Sequence, residues 1–166
     1  MQPGPARLDL LLPDESATER LGTLLASILS PGDVVALIGD LGAGKTRLVQ
    51  AIAAGLGTPP EAVNSPTFTL IQEYTGDVTL RHCDAYRLRR PEEFPDLGLD
   101  ELFAEDGVAL IEWADRVLTY LPRDRLEIRL TAVGPTSRRA EICGRERRGE
   151  ALVRALQSAV GSEFEA

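Results

Sequence analysis

Histidine, tryptophan and methionine each occur once in this chain, and cysteine occurs twice. A single histidine, His82, excludes any metal centre built from several histidines. Cys83 and Cys143 have no metal-type spacing and read as two buried thiols of a reducing compartment. Long apolar runs are also missing, since none approaches the ~18 residues that a membrane span needs. The stretch Leu8 to Leu12 is short, broken by Asp9 and followed by Pro13-Asp14-Glu15, so it does not read as a signal peptide. These absences make the cytoplasm the expected location and leave no membrane contact. Positive charge is in the minority, with 18 Lys and Arg against 26 Asp and Glu and a net charge of −8. Such a chain repels a phosphate backbone on average, which argues against an unaided grip on nucleic acid.

The 166 residues fit one domain, 1–166, and 43% of them are hydrophobic. A chain of this size buries roughly 70% of its unfolded surface and holds a core without staples. Arg7 to Leu12 reads as a short strand. Ser16-Ala-Thr-Glu19 has the spacing of a capping box, opening a helix to about Leu29 with Leu21, Leu24, Leu25 and Ile28 as its apolar stripe. Val34 to Ile38 is a continuous apolar run, as in a strand buried on both faces. A helix to about Leu56 follows the next glycine-rich segment. Thr67 to Thr75 and Val78 to Leu88 read as hairpin partners around Gly76-Asp77. Pro91 to Asp106 reads as short helix and loop, and Val108 to Ile111 as a second buried strand. Arg125 to Ala132 alternates, Arg138 to Cys143 reads as its partner strand, and Arg147 to Val160 as a closing helix. The sum predicts an α/β fold, a P-loop NTPase-like mixed β-sheet flanked by helices.

Gly39-Asp40-Leu41-Gly42-Ala43-Gly44-Lys45-Thr46 matches G-x-x-x-x-G-K-[ST] at every fixed position, between a buried strand and a helix. Glycines let backbone N–H groups turn inward around a phosphate. The helix that follows aims its positive end at the same anion. In this motif Lys45 meets the β and γ phosphates, and Thr46 offers a hydroxyl oxygen to Mg2+. No guanine-reading N/T-K-x-D element follows, which favours ATP.

Carboxylates supply the other half of such a site. Val108-Ala-Leu-Ile111 runs into Glu112, placed to bind magnesium through water or to orient an attacking water. Asp84 shares a strand face with His82, Val78 and Leu80, a polar pair continuing an apolar face. Thr67, after Pro66, offers a hydroxyl as a γ-phosphate sensor would, and Trp113 directly follows Glu112. The expected nucleotide-site residues are therefore Gly39 to Thr46, Thr67, Asp84, Glu112 and Trp113, with Glu112, Asp84 and Lys45 as the catalytic set. Local basic clusters lie at Arg81, Arg87, Arg89 and Arg90 and from Arg138 to Arg148, the second read as a solvated face.

The glycine loop, Ser65-Pro-Thr-Phe68, His82-Cys-Asp-Ala-Tyr-Arg-Leu88 and Ile111-Glu-Trp-Ala-Asp115, in this order, resemble the bacterial TsaE family over about Glu15 to Leu130. The loop alone is generic; the other three elements make the resemblance specific. It implies the ATPase of the tRNA threonylcarbamoyladenosine machinery, weak alone and active beside a TsaD-type transferase and its TsaB-type companion. The tRNA would be met only through that complex. A small-molecule kinase and a nucleotide-switched adaptor remain the competing readings.

Overall fold

The computed structural model describes residues 6–40, 42–59, 62 and 70–161. Strands and helices alternate as β1 (Ala6–Leu12), α1 (Glu15–Ile28), β2 (Val34–Ile38), α2 (Lys45–Gly55), β3 (Ile71–Tyr74), β4 (Thr79–Asp84), α3 (Leu99–Leu102), β5 (Gly107–Glu112), β6 (Arg125–Ala132), β7 (Arg138–Arg145) and α4 (Glu146–Val160). The strands form a seven-stranded sheet ordered β1-β7-β6-β2-β5-β4-β3. The pairs β2–β5, β2–β6 and β4–β5 are parallel. Those of β1–β7, β6–β7 and β3–β4 are antiparallel. The expected mixed α/β sheet is what the chain forms.

The sheet separates two cores. On one face Val35 and Leu37 of β2, Val108 and Leu110 of β5 and Leu80 of β4 pack with Leu21 and Leu25 of α1, Leu48 and Ile52 of α2 and Leu152 and Leu156 of α4. On the other, Val34, Ala36 and Ile38 of β2 and Ala109 and Ile111 of β5 meet Phe94, Leu102 and Val117 of the short helical segments. Both faces of β2 and β5 are thus covered, which explains their unbroken apolar runs. Each fully buried leucine or isoleucine contributes about 1.5–3 kcal/mol. Beyond β2 the second face opens, and Arg7, Asp9, Glu127, Arg129, Glu141 and Arg145 line a charged groove across β1, β7 and β6.

Two expected boundaries move. Helix α1 starts at Glu15 because Asp14 is its cap, its Oδ1 accepting from the Ala17 N–H at 2.8 Å. The Ser16–Glu19 spacing therefore lies inside the helix. Strand β4 stops at Asp84 rather than running to Leu88. The Asp84 Oδ1 accepts from the Tyr86 N–H at 3.0 Å, and this local bond opens a 3-10 turn over Ala85–Arg87. Cys83 is buried as expected, with its thiol pushed up to about 12 by burial, but Cys143 is only partly so. Among the described residues no helix is long and apolar enough to cross a membrane.

Candidate active site

The glycine-rich loop joins the end of β2 to the start of α2. Gly39 is pressed against β6, where a Cβ would stand 2.6 Å from the Leu130 carbonyl oxygen. Gly44 has φ +97°, a left-handed conformation that side chains resist. It caps α2 with no side-chain hydrogen bond, so the first turn of the helix has no side-chain acceptor. Lys45 folds back under the loop, and its Nζ donates to the Gly39 carbonyl and, at 3.0 Å, to that of Asp40. Leu41 and Thr67 lie outside the described residues.

Register brings the two expected carboxylates together. Asp84 ends β4, Glu112 ends β5, and the strands pair in parallel with Asp84 opposite Glu112. In turn Leu37, next to last in β2, lies opposite Glu112. Strand alternation turns Asp84, His82 and Glu112 to the face that carries Leu80, Leu110 and α2. Lys45 feels all of this. Burial pushes its ammonium below the ordinary 10.5, while Glu112, Asp84, Asp40 and Asp115 pull it back up. Burial likewise pushes the Asp84 carboxyl above 3.8, against the hydrogen bond from Tyr86. The result is a cation among carboxylates at the carboxyl ends of adjacent parallel strands, where open α/β sheets bind their ligands.

His82 has a role that the sequence did not reveal. Its Nε2 meets the Glu112 Oε2 at 2.5 Å, with the side chains only 1% and 5% exposed. A ring nitrogen and a carboxylate oxygen share one hydrogen bond here. This contact fixes the Glu112 rotamer at the end of its strand. The signal lay in alternation along β4, but its target thirty positions away lay only in the fold.

Trp113 leaves the strand at once. Its φ of 57° and ψ of 38° place it in the left-handed region, an uncommon conformation for a bulky residue and one that clusters at functional sites. Its indole lies over Lys45, with Nζ 4.1 Å from the ring centroid, and against Tyr86 at 4.8 Å between centroids. Arg116 secures the same corner, donating from Nη1 to the carbonyls of Ala85, Tyr86 and Leu88. The indole therefore lies beside the first residue of α2.

Several arginines of the basic clusters have partners within the fold. Arg81 is buried and bonded to Glu73 and Asp106. Arg145 pairs with Glu127, and Arg148 grips Asp33 at 2.8 and 2.9 Å. Arg138 donates to the carbonyls of Gly42 and Ala43. Arg139, Arg145, Arg147 and Arg148 are exposed, as the reading of a solvated face expects, although Arg145 and Arg148 also pair with Glu127 and Asp33; Arg138 is half-buried against the loop.

The family model described as "Threonylcarbamoyl adenosine biosynthesis protein TsaE" matches residues 12–140. The chain belongs to the TsaE family. It is 47% identical over 122 residues to the tRNA threonylcarbamoyladenosine biosynthesis protein TsaE of Bacillus subtilis (strain 168), across 73% of this chain and 75% of that protein. With the protein of that name from Nostoc sp. the identity is 45% over 139 residues, covering 80% and 83%. A crystal structure of Bacillus subtilis YdiB aligns with a TM-score of 0.79 at 34% identity, over 95% of this chain and 99% of that one. The TsaE match takes in β2, the loop, α2, Asp84 and Glu112 and ends at Ala140, two residues past Arg138.

Proposed function

We propose that this chain is the ATPase of the tRNA threonylcarbamoyladenosine pathway. The observation that carries the reading is the convergence of the glycine loop, Lys45, Asp84 and Glu112 at the carboxyl ends of β2, β4 and β5. Lys45 neutralises the β and γ phosphates, and the Gly44-capped start of α2 receives phosphate oxygens. Thr46 is exposed at the next position and offers its hydroxyl.

Thr46, Asp84 and Glu112 make an all-oxygen donor set, which suits magnesium rather than zinc. Among the described residues no three His, Cys, Asp or Glu side chains form a metal cage. Magnesium supplies charge neutralisation on the phosphates. Glu112, held by His82, orients the attacking water, and Trp113 shields the Lys45 side of the site from solvent.

Partners of the TsaD and TsaB types supply the tRNA contact in this reading. At net charge −8 the chain repels an RNA backbone on average, and Arg81, Arg145 and Arg148 are paired with acids of the fold. The same pairings hold Arg145 and Arg148 to Glu127 and Asp33, which disfavours their service as the lid of a small-molecule kinase. The test is phosphate release by the purified chain with and without the transferase pair. Stimulation by the pair supports the reading. Stimulation by a metabolite alone points to a kinase, and ATP binding with no release under any condition points to an adaptor.

A further inference from the structure

The β6–β7 hairpin turns at the same end of the sheet as the glycine loop, because β6 runs parallel to β2. Alternation along β7 puts Arg138 on the face of Ala140 and Ile142, the face that carries α2. Its guanidinium spans two segments about ninety-five residues apart. Nε donates to the Ala43 carbonyl at 3.1 Å and Nη2 to that of Gly42 at 3.1 Å. Nη1 donates to the carbonyls of Gly134 and Ser137 at 3.1 and 2.8 Å. All four partners are backbone carbonyls, so these contacts leave the positive charge of Arg138 unneutralised beside the loop.

The geometry has a consequence for the loop amides. A trans peptide directs its N–H opposite to its C=O. With the Ala43 carbonyl drawn outward onto Arg138, the Gly44 N–H points away from the guanidinium. The planar fork of arginine is what allows two consecutive carbonyls to be held at once; a lysine ammonium is a point charge and lacks that geometry. We propose that Arg138 is a positioning residue for the phosphate site, holding Gly42 and Ala43 so that the loop is shaped before nucleotide arrives. This rests on the reading that the loop binds a nucleoside triphosphate.

Arg138→Met and Arg138→Lys in the full chain test it by calorimetric titration with ATP and with ADP, alongside hydrogen exchange of the 42–44 amides without nucleotide. Both variants are expected to lose about ten-fold or more in affinity for each nucleotide. Exchange at 42–44 should speed up while the β2 and β5 amides keep their protection, which separates loss of loop shape from global destabilisation, and the affinity loss separates positioning from a purely structural staple. Parent-like affinity in both variants overturns the proposal. Full recovery in Arg138→Lys also overturns it, since charge alone would then suffice. If the parent itself fails to bind ATP, the functional reading falls; exchange in Arg138→Lys still judges the inference, and unchanged rates at 42–44 refute it. Should Arg138→Met not fold, the Lys variant alone decides by the same two measurements.

Discussion

Arg148→Met should destabilise the protein and leave nucleotide binding intact. Arg148 donates from Nε and Nη2 to the two carboxylate oxygens of Asp33 at 2.8 and 2.9 Å, joining α4 to the start of β2. The Asp33 side chain is 4% exposed and that of Arg148 44%. Removing one partner of a fully buried pair costs about 3–5 kcal/mol, whereas a fully exposed pair contributes about 0.2–1 kcal/mol. Here the orphaned carboxylate is buried but half of its former partner lies in water, and the Ser30 N–H at 2.7 Å remains to it. A loss of about 2 kcal/mol follows, intermediate between those limits. In a domain of this length each kcal/mol moves Tm by about 2–4 °C, so the variant should melt about 4–8 °C below the parent. Combined with Asp33→Asn, the double-mutant cycle should return a coupling of about 1–2 kcal/mol. ATP affinity should be unchanged, because Asp33 precedes β2 while the loop follows its far end. A Tm shift below about 1 °C would refute this account of the pair. Lost ATP affinity at parental Tm would return the arginine-rich segment to the nucleotide site as a lid.

Four further outcomes test the site. Lys45→Met should weaken ATP binding by about 100-fold or more in a calorimetric titration, with the melting curve preserved, since a cation is removed from a phosphate site without opening a cavity. Glu112→Gln should lower phosphate release by about 10²–10⁴-fold in the presence of the transferase pair, with little change in ATP affinity; parental turnover would strike Glu112 from the catalytic set. Asp84→Asn should melt above the parent at pH 7. Burial raises the Asp84 carboxyl above 3.8, so the folded state holds this proton more tightly than the unfolded state, and stability falls as pH rises through the window above 3.8. The advantage of the variant should vanish below about that pH, and equal melting at pH 7 would contradict the sign. Trp113 fluorescence should change when ATP and magnesium are added, because its indole covers Lys45; a flat signal at saturating nucleotide would detach the ring from the site.

Much of this site was legible because local signals and the fold agree along β2, the loop and α2. A run buried on both faces, a glycine turn and a helix start are all properties of neighbouring residues. Glu112 was legible for a similar reason, as a charge that ends the apolar run of β5. The capping box misled because Asp14, one residue past Pro13, caps the helix two residues earlier, through the Ala17 amide. Strand β4 looked longer than it is because Asp84 faces both ways in the sequence, continuing the alternation yet able to close a turn with its own side chain. His82 and Arg138 were named without their roles, since the partner of each lies on another strand or in a distant loop. Spacing along the chain carries no trace of those contacts.

Among the 18 basic residues, Lys45 is the only lysine. Amine-directed chemistry therefore has one side-chain target in the whole chain, and it lies where the glycine loop enters α2. The Nζ is covered by two carbonyls and an indole, yet its ammonium gives up a proton more readily than an ordinary lysine. An acylating reagent would thus find a good nucleophile behind a closed door. The rate at which an acyl group is added to Lys45, read on the peptide that carries it so that the α-amine of the chain is not counted, becomes a clock for how often that door opens.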